Sequence, residues 1–128
     1  METNNPVKIK VTGAILLTDE LRTFIDEKLY KLFKLIPESD TTALAEVEIE
    51  STANSRVGDS YRAEITFTYA GGMARAEARR ETLHTAIDEA VGEARRELRR
   101  AKNKRHDLAR RGAAQVKEFF RNFKNPFN

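Results

Sequence analysis

Residues 61–80 read YRAEITFTYAGGMARAEARR, and the period of that stretch decides the fold. Tyr61, Ala63, Ile65, Phe67 and Tyr69 alternate with Arg62, Glu64, Thr66 and Thr68, the period-two pattern of a strand with one buried face. Gly71-Gly72 supplies turn residues for a hairpin, and a further strand is expected from about Met73 to Arg79. Its Ala74, Ala76 and Ala78 are small enough to let a helix lie close to the sheet, while Arg75, Glu77 and Arg79 face the other way. From about Thr82 the period turns helical. Leu83, Ile87, Ala90, Val91, Ala94, Leu98 and Ala101 share one face, and Gly112 reads as the end of this second helix.

Working back from the hairpin, Ala45, Val47 and Ile49 alternate with Glu46, Glu48 and Glu50, a strand whose solvent face is acidic. Arginines in the neighbouring strands are expected to pair with those carboxylates. Ser51 to Asp59 reads as loop. Before the Pro37 to Thr42 break, Leu21, Phe24, Ile25, Leu29, Leu32, Phe33 and Ile36 form an apolar stripe at helical steps. Thr18 is its N-cap, and Asp19 and Glu20 suit the positive end of the helix dipole. Val7, Ile9 and Val11 alternate with Lys8, Lys10 and Thr12 as the first strand. The fold class is therefore α+β in the order β-α-β-β-β-α. A parallel crossover followed by a meander gives a four-stranded mixed sheet with two parallel-packed helices on one face, plus a C-terminal tail. At 128 residues the chain suits one core. Residues 1–111 form the working domain and 112–128 the tail, where Val116, Phe119, Phe120 and Phe123 fall at the spacing of a short amphipathic helix before Asn125-Pro126.

The net charge of +3 conceals a strong segregation. Residues 1–94 hold 11 lysines and arginines against 17 acidic residues, whereas residues 95–111 hold nine basic residues against Glu97 and Asp107. Arg95, Arg96, Arg99, Arg100, Lys102, Lys104 and Arg105 cover much of one helix, a rod of cations suited to phosphates. Dipole compensation at a helix C-terminus needs one or two such charges, and arginine forks suit bidentate phosphate contacts. Arg22, Lys28, Lys31 and Lys34 lie off the apolar stripe of the first helix and either face the same ligand or make surface pairs. Arg75, Arg79 and Arg80 either extend the patch or pair with the sheet glutamates. The tail phenylalanines Phe119, Phe120, Phe123 and Phe127 leave three readings open: capping the core, docking on a partner, or stacking on bases.

Other chemistries find no support. The chain has no cysteine and only His84 and His106, so neither disulfides nor a zinc site can be assembled. His84 adjoins the apolar stripe and reads as a packed helix residue. No nucleophile elbow, Gly-rich phosphate loop or paired catalytic carboxylates can be placed, so no enzyme, metal, cofactor or small-molecule substrate is expected. Glu46, Glu48 and Glu50 read as a solvated strand face rather than a cation site. Met1 to Pro6 carries no apolar stretch, and no window nears the roughly 18 apolar residues a membrane span requires. A cytoplasmic location is expected.

In their order and spacing these pieces resemble the ribosome hibernation-promoting factors, also called ribosome-associated inhibitors or ribosomal subunit interface proteins. The resemblance covers roughly residues 7 to 105. It is carried by Val11-Thr12-Gly13, by Leu16-Leu17-Thr18-Asp19-Glu20-Leu21-Arg22 with Lys28-Leu29 and Lys31-Leu32, by Arg75-Ala76-Glu77-Ala78, by Glu81 through Ala86-Ile87-Asp88, and by Leu98-Arg99-Arg100 with Lys102 and Lys104. His84-Thr85 departs from the aromatic and small residue frequent there. The resemblance implies a factor that binds the decoding region of the small subunit, overlaps the tRNA and mRNA paths, and blocks translation under stress. It implies rRNA contacts at Arg22, Lys28, Lys31, Arg79, Arg80, Arg95, Arg96, Arg99, Arg100, Lys102 and Lys104, to which the charge run adds Arg105. Long members carry a further domain that pairs ribosomes. This chain is expected to lack it and to be a monomer off the ribosome, and residues 106–128 match no short-form tail. Two other readings remain: a double-stranded-RNA-binding type of domain, and a protein-interaction module using the phenylalanine tail.

Overall fold

The computed structural model describes residues 5–52 and 60–124, with side chains as far as Gln115 and at Lys117. Its elements are β1 (Val7–Thr12), α1 (Asp19–Phe33), β2 (Leu44–Ser51), β3 (Tyr61–Tyr69), β4 (Gly72–Arg80) and α2 (Leu83–Lys124). The sheet order is β1-β2-β3-β4, with β1 parallel to β2 and the other neighbours antiparallel. This is the α+β order read from the alternation. The chain divides into two compact units, Met1–Leu98 and Arg99–Asn128.

Register follows from the two-residue period. Ile9 pairs with Val47, Val47 with Ile65 and Ile65 with Ala76, so one row of apolar side chains crosses all four strands. That face buries Ala45, Val47, Ile49, Ala63, Ile65, Phe67, Ala74, Ala76 and Ala78 in one cluster with Leu21, Ile25, Leu29 and Leu32 of α1 and Ala86, Ile87, Ala90, Val91, Ala94 and Leu98 of α2. Small residues on both β4 and α2 permit the close approach that the alanines predicted. Phe24 meets His84 and, four residues on in each helix, Lys28 meets Asp88, so the two helices run in the same direction.

Local chemistry sets the boundaries. Thr18 Oγ1 accepts from Leu21 N at 3.1 Å and caps α1. The helix closes at Phe33, short of the end of its apolar stripe: Leu35 N bonds Leu32 O and Ile36 N bonds Phe33 O, tightened turns that lead into Pro37. Asp40 then accepts from Thr42 N, Thr42 Oγ1 and Ala70 N, tying the α1–β2 loop to the hairpin. The hairpin tip is Ala70-Gly71, because Gly72 already pairs with Tyr69 and takes a φ of 147° open to glycine. Thr82 Oγ1 accepts from Thr85 N and opens α2.

Two expectations about α2 are corrected. Ala101 is exposed, so the buried stripe ends at Leu98. Nor does the helix stop at Gly112; it continues to Lys124, because nothing there calls for a left-handed residue and Ala113 and Ala114 favour helix. The backbone of residues 112–124 belongs to α2 rather than to a separate short helix, while the side chains of Phe119, Phe120 and Phe123, and all of Phe127, lie outside the described residues. The same holds for residues 53–59 of the expected loop. Among the described residues no helix is long and apolar enough to cross a membrane.

Candidate nucleic-acid interface

In the first unit the candidate cations divide by what they already touch. Arg22 is exposed on the first turn of α1. Lys28 Nζ lies 2.8 Å from Asp88 Oδ1 and 5.4 Å over the Phe24 ring. The Asp88 carboxyl is held below its ordinary value, first by the hydrogen bond from Lys28, which overcomes desolvation, and then by the charges of Lys28 and Lys31. One carboxylate thus sits among two candidate lysines. On β4, Arg79 bonds Glu77 at 3.3 Å, while Arg80 pairs with Glu89 and donates to Arg79 O. Arg96 pairs with Glu93 at 2.7 Å. Arg95 is half-buried, and its Nε is enclosed without a hydrogen-bond partner.

The open face of the sheet is neutralised from within. Glu48, Glu64 and Glu77 stand in one cross-strand row, an arrangement that repels unless cations intervene. Arg62 intervenes, reaching Glu64 at 2.9 Å, Glu77 at 3.1 Å, Glu50 at 3.4 Å and Glu48 at 3.5 Å, and Arg75 adds a contact to Glu64 at 3.1 Å. Burial pulls the Arg62 guanidinium down, yet the hydrogen bond and charge of Glu77, with the charges of Glu64 and Glu48, hold it above its ordinary value. Arg62, Arg75 and Arg79 are engaged with carboxylates on this face, so a polyanion would meet cations that are already paired. Among the described residues no group of His, Cys, Asp or Glu is placed to hold a metal ion.

The second unit is different. Arg99, Arg100, Lys102, Lys104 and Arg105 are all exposed on α2, and exposure persists along the described side chains to Gln115. Arg110 and Arg111 continue this exposed stretch, and because the helix passes through Gly112, Lys117 is exposed on the same helix. Sequence reasoning counted Arg110 and Arg111 in the basic run but left them out of the candidate site, and it left out Lys117 by ending the helix at Gly112. It also missed a hollow of about 520 Å³ lined by Leu16, Leu21, Tyr61, Glu81 and His84 among others. That hollow joins residues from separate segments, and no single motif announces it. The His84 ring lies 4.4 Å from that of Phe24, but the residue is exposed rather than packed into the core as expected.

Comparison with known proteins brings a family to this geometry. The family described as sigma 54 modulation protein / S30EA ribosomal protein matches residues 9–106. A curated relative, the ribosome hibernation promotion factor of Picosynechococcus sp., is 29% identical over 99 residues, which are 77% of this chain and 50% of that protein. The chain thus matches about half the length of that relative. Among solved structures, the N-terminal domain of Thermus thermophilus Protein Y superposes with a TM-score of 0.61 at 24% identity, covering 74% of this chain and 97% of that one. A ribosomal subunit interface protein from Coxiella burnetii does so with a TM-score of 0.57 at 11% identity, covering 76% and 97%. At those identities the two structures speak for the fold.

Proposed function

The chain belongs to the sigma 54 modulation protein / S30EA ribosomal protein family, and on that premise we propose that it is a non-enzymatic ribosome hibernation factor. It binds the decoding region of the small subunit, overlaps the tRNA and mRNA paths, and blocks translation in stress or stationary phase. The observation that carries the reading is the exposed cationic length of α2, from Arg99 onward, in a chain whose first 94 residues are acidic. A structured polyanion is the ligand that such a helix fits, and small-subunit rRNA is the polyanion that the kinship with a hibernation promotion factor suggests.

In this proposal Arg99, Arg100, Lys102, Lys104 and Arg105 contact phosphates directly. Arg22, Lys28, Lys31, Arg95 and Arg96 contribute from the first unit, while Arg79 and Arg80 exchange Glu77 and Glu89 for phosphate on binding. Residues 1–111 act as the ribosome-binding part, and the tail from 112 carries Phe119, Phe120 and Phe123 to a partner or back to the core. The protein works in the cytoplasm, is a monomer off the ribosome, and needs no cofactor. Sedimentation through sucrose gradients at low and high salt tests this. The protein is expected to travel with small subunits or whole ribosomes at low salt and to be released steeply as salt rises, because phosphate contacts exchange with counterions. If it stays at the top of the gradient at both salts, the proposal fails.

A further inference from the structure

The hollow of about 520 Å³ at the N-terminal ends of α1 and α2 has a lining unlike the cationic surface of the second unit. Leu16, Leu21 and Leu83 make it apolar, and Leu16 is 80% exposed, a large apolar side chain left in water. Two aromatic rings line it, Tyr61 and His84, and the His84 ring is steadied by Phe24 at 4.4 Å. Two carboxylates, Glu20 and Glu81, and the hydroxyls of Thr18 and Thr82 add polar groups to the lining. In sequence, exposed Arg22 follows Leu21, and Arg80, which is paired with Glu89, precedes Glu81.

We infer that this hollow takes one unstacked nucleobase of the bound RNA. The chemistry is ordered as a nucleotide is. Aromatic and leucine side chains accept the flat face of a base, since stacking on an aromatic tolerates any base. Carboxylates accept from the amino groups that adenine, cytosine and guanine carry on their edges, and they repel phosphate. The phosphate is therefore left outside the hollow, and exposed Arg22, the residue after Leu21, is the cation nearest in sequence to meet it. The volume falls within the roughly 300 to 1,000 Å³ typical of small-ligand clefts. Recognition of an extruded base is also the usual way a protein reads folded RNA, whose paired grooves disclose little sequence. The inference rests on the ribosome reading and adds to it a site that reads a base rather than the backbone.

Two measurements test it. Guanosine monophosphate titrated into the isolated protein is expected to move the His84 ring proton signals in NMR spectra, and inorganic phosphate at the same concentration is expected to leave them in place. On small subunits, His84→Ala is expected to weaken binding about tenfold, the loss of one stacked base, with the dependence on salt unchanged because no phosphate contact is removed. His84→Phe, which keeps a ring, is expected to restore binding. His84 is exposed, so the variants fold, and matching urea midpoints verify that. The proposal is overturned if His84→Ala binds within twofold of the parent, if its salt dependence becomes shallower, or if the nucleotide leaves the ring signals unmoved, the result expected when a protein side chain fills the hollow. Should the parent fail to sediment with ribosomes, the ribosome reading falls while the nucleotide titration still decides the hollow.

Discussion

Arg62 shows how one side chain decides whether a sheet face is tolerable. Its side chain is only 13% exposed, yet four glutamates converge on it, three of them from a single cross-strand row. Arg62→Ala removes the cation and leaves the carboxylates facing each other, a loss expected to cost about 3 kcal/mol at neutral pH in urea titrations. The pH dependence follows from Glu77. Burial pushes its carboxyl up, but the hydrogen bond and charge of Arg62, with those of Arg79, hold it below its ordinary value of 4.5. A depressed carboxyl stabilises the fold above its unfolded value, and that contribution is lost as pH falls through the folded one. The variant keeps only the part that Arg79 supplies, and protonation relieves its repulsion. The two stability curves are therefore expected to converge below about pH 4.5, and a gap that stays constant with pH contradicts this account. Asp88 offers a second test at the same scale. Its pair with Lys28 is half-exposed, so Asp88→Asn is expected to cost under about 1 kcal/mol of stability. It also frees Lys28 and Lys31 for phosphate, so ribosome binding is expected to become tighter and steeper in salt; weaker binding refutes the assignment of those lysines.

At the scale of elements, two glycines make opposite predictions. Gly13 has a φ of +86°, and a Cβ there would sit 2.7 Å from Ser51 O, so Gly13→Ala is expected to destabilise the fold by about 2 kcal/mol or more in urea unfolding. Gly112 lies inside α2 with nothing within 4 Å of an added Cβ. Gly112→Ala is expected to stabilise that stretch by about 0.5 to 1 kcal/mol, visible as added helical circular dichroism on heating. An unchanged helical signal there would mean that α2 is not continuous through Gly112. The same pair explains what could be read in advance. Strands were legible because alternation in Val47, Ile65 and Ala76 has one geometric meaning, and α1 because Thr18 and its stripe agree. Gly112 misled because glycine permits a helix end without requiring one, and no proline or left-handed residue follows to enforce it. The cations were visible as a cluster, but which of them were already occupied depended on pairings made only on folding: Asp88 for Lys28, and Glu89 for Arg80. The hollow was invisible because Leu16, Tyr61 and His84 meet only after folding.

Over the whole molecule, charge is distributed very unevenly between the two units. The unit Met1–Leu98 spends most of its arginines internally, on Glu64, Glu77, Glu89 and Glu93. The unit Arg99–Asn128 has ten lysines and arginines against Asp107 and Glu118 alone, a ratio that no internal pairing can balance. Like charges one turn apart, such as Arg100 and Lys104, oppose the helix that carries them, so an external polyanion relieves a repulsion as well as gaining contacts. The double substitution Arg99→Glu and Arg100→Glu isolates this effect, since both side chains are exposed and neither belongs to the buried core. The urea midpoint is expected to stay where it is. Binding to small subunits is expected to fall by more than about tenfold at low salt, and the slope of log affinity against log salt to decrease by roughly 1.5, the share of two phosphate contacts. A loss of affinity with an unchanged slope assigns these arginines to protein or base contacts instead. An association that survives the reversal intact removes the cationic helix from the interface, leaving the first unit to account for any ribosome binding.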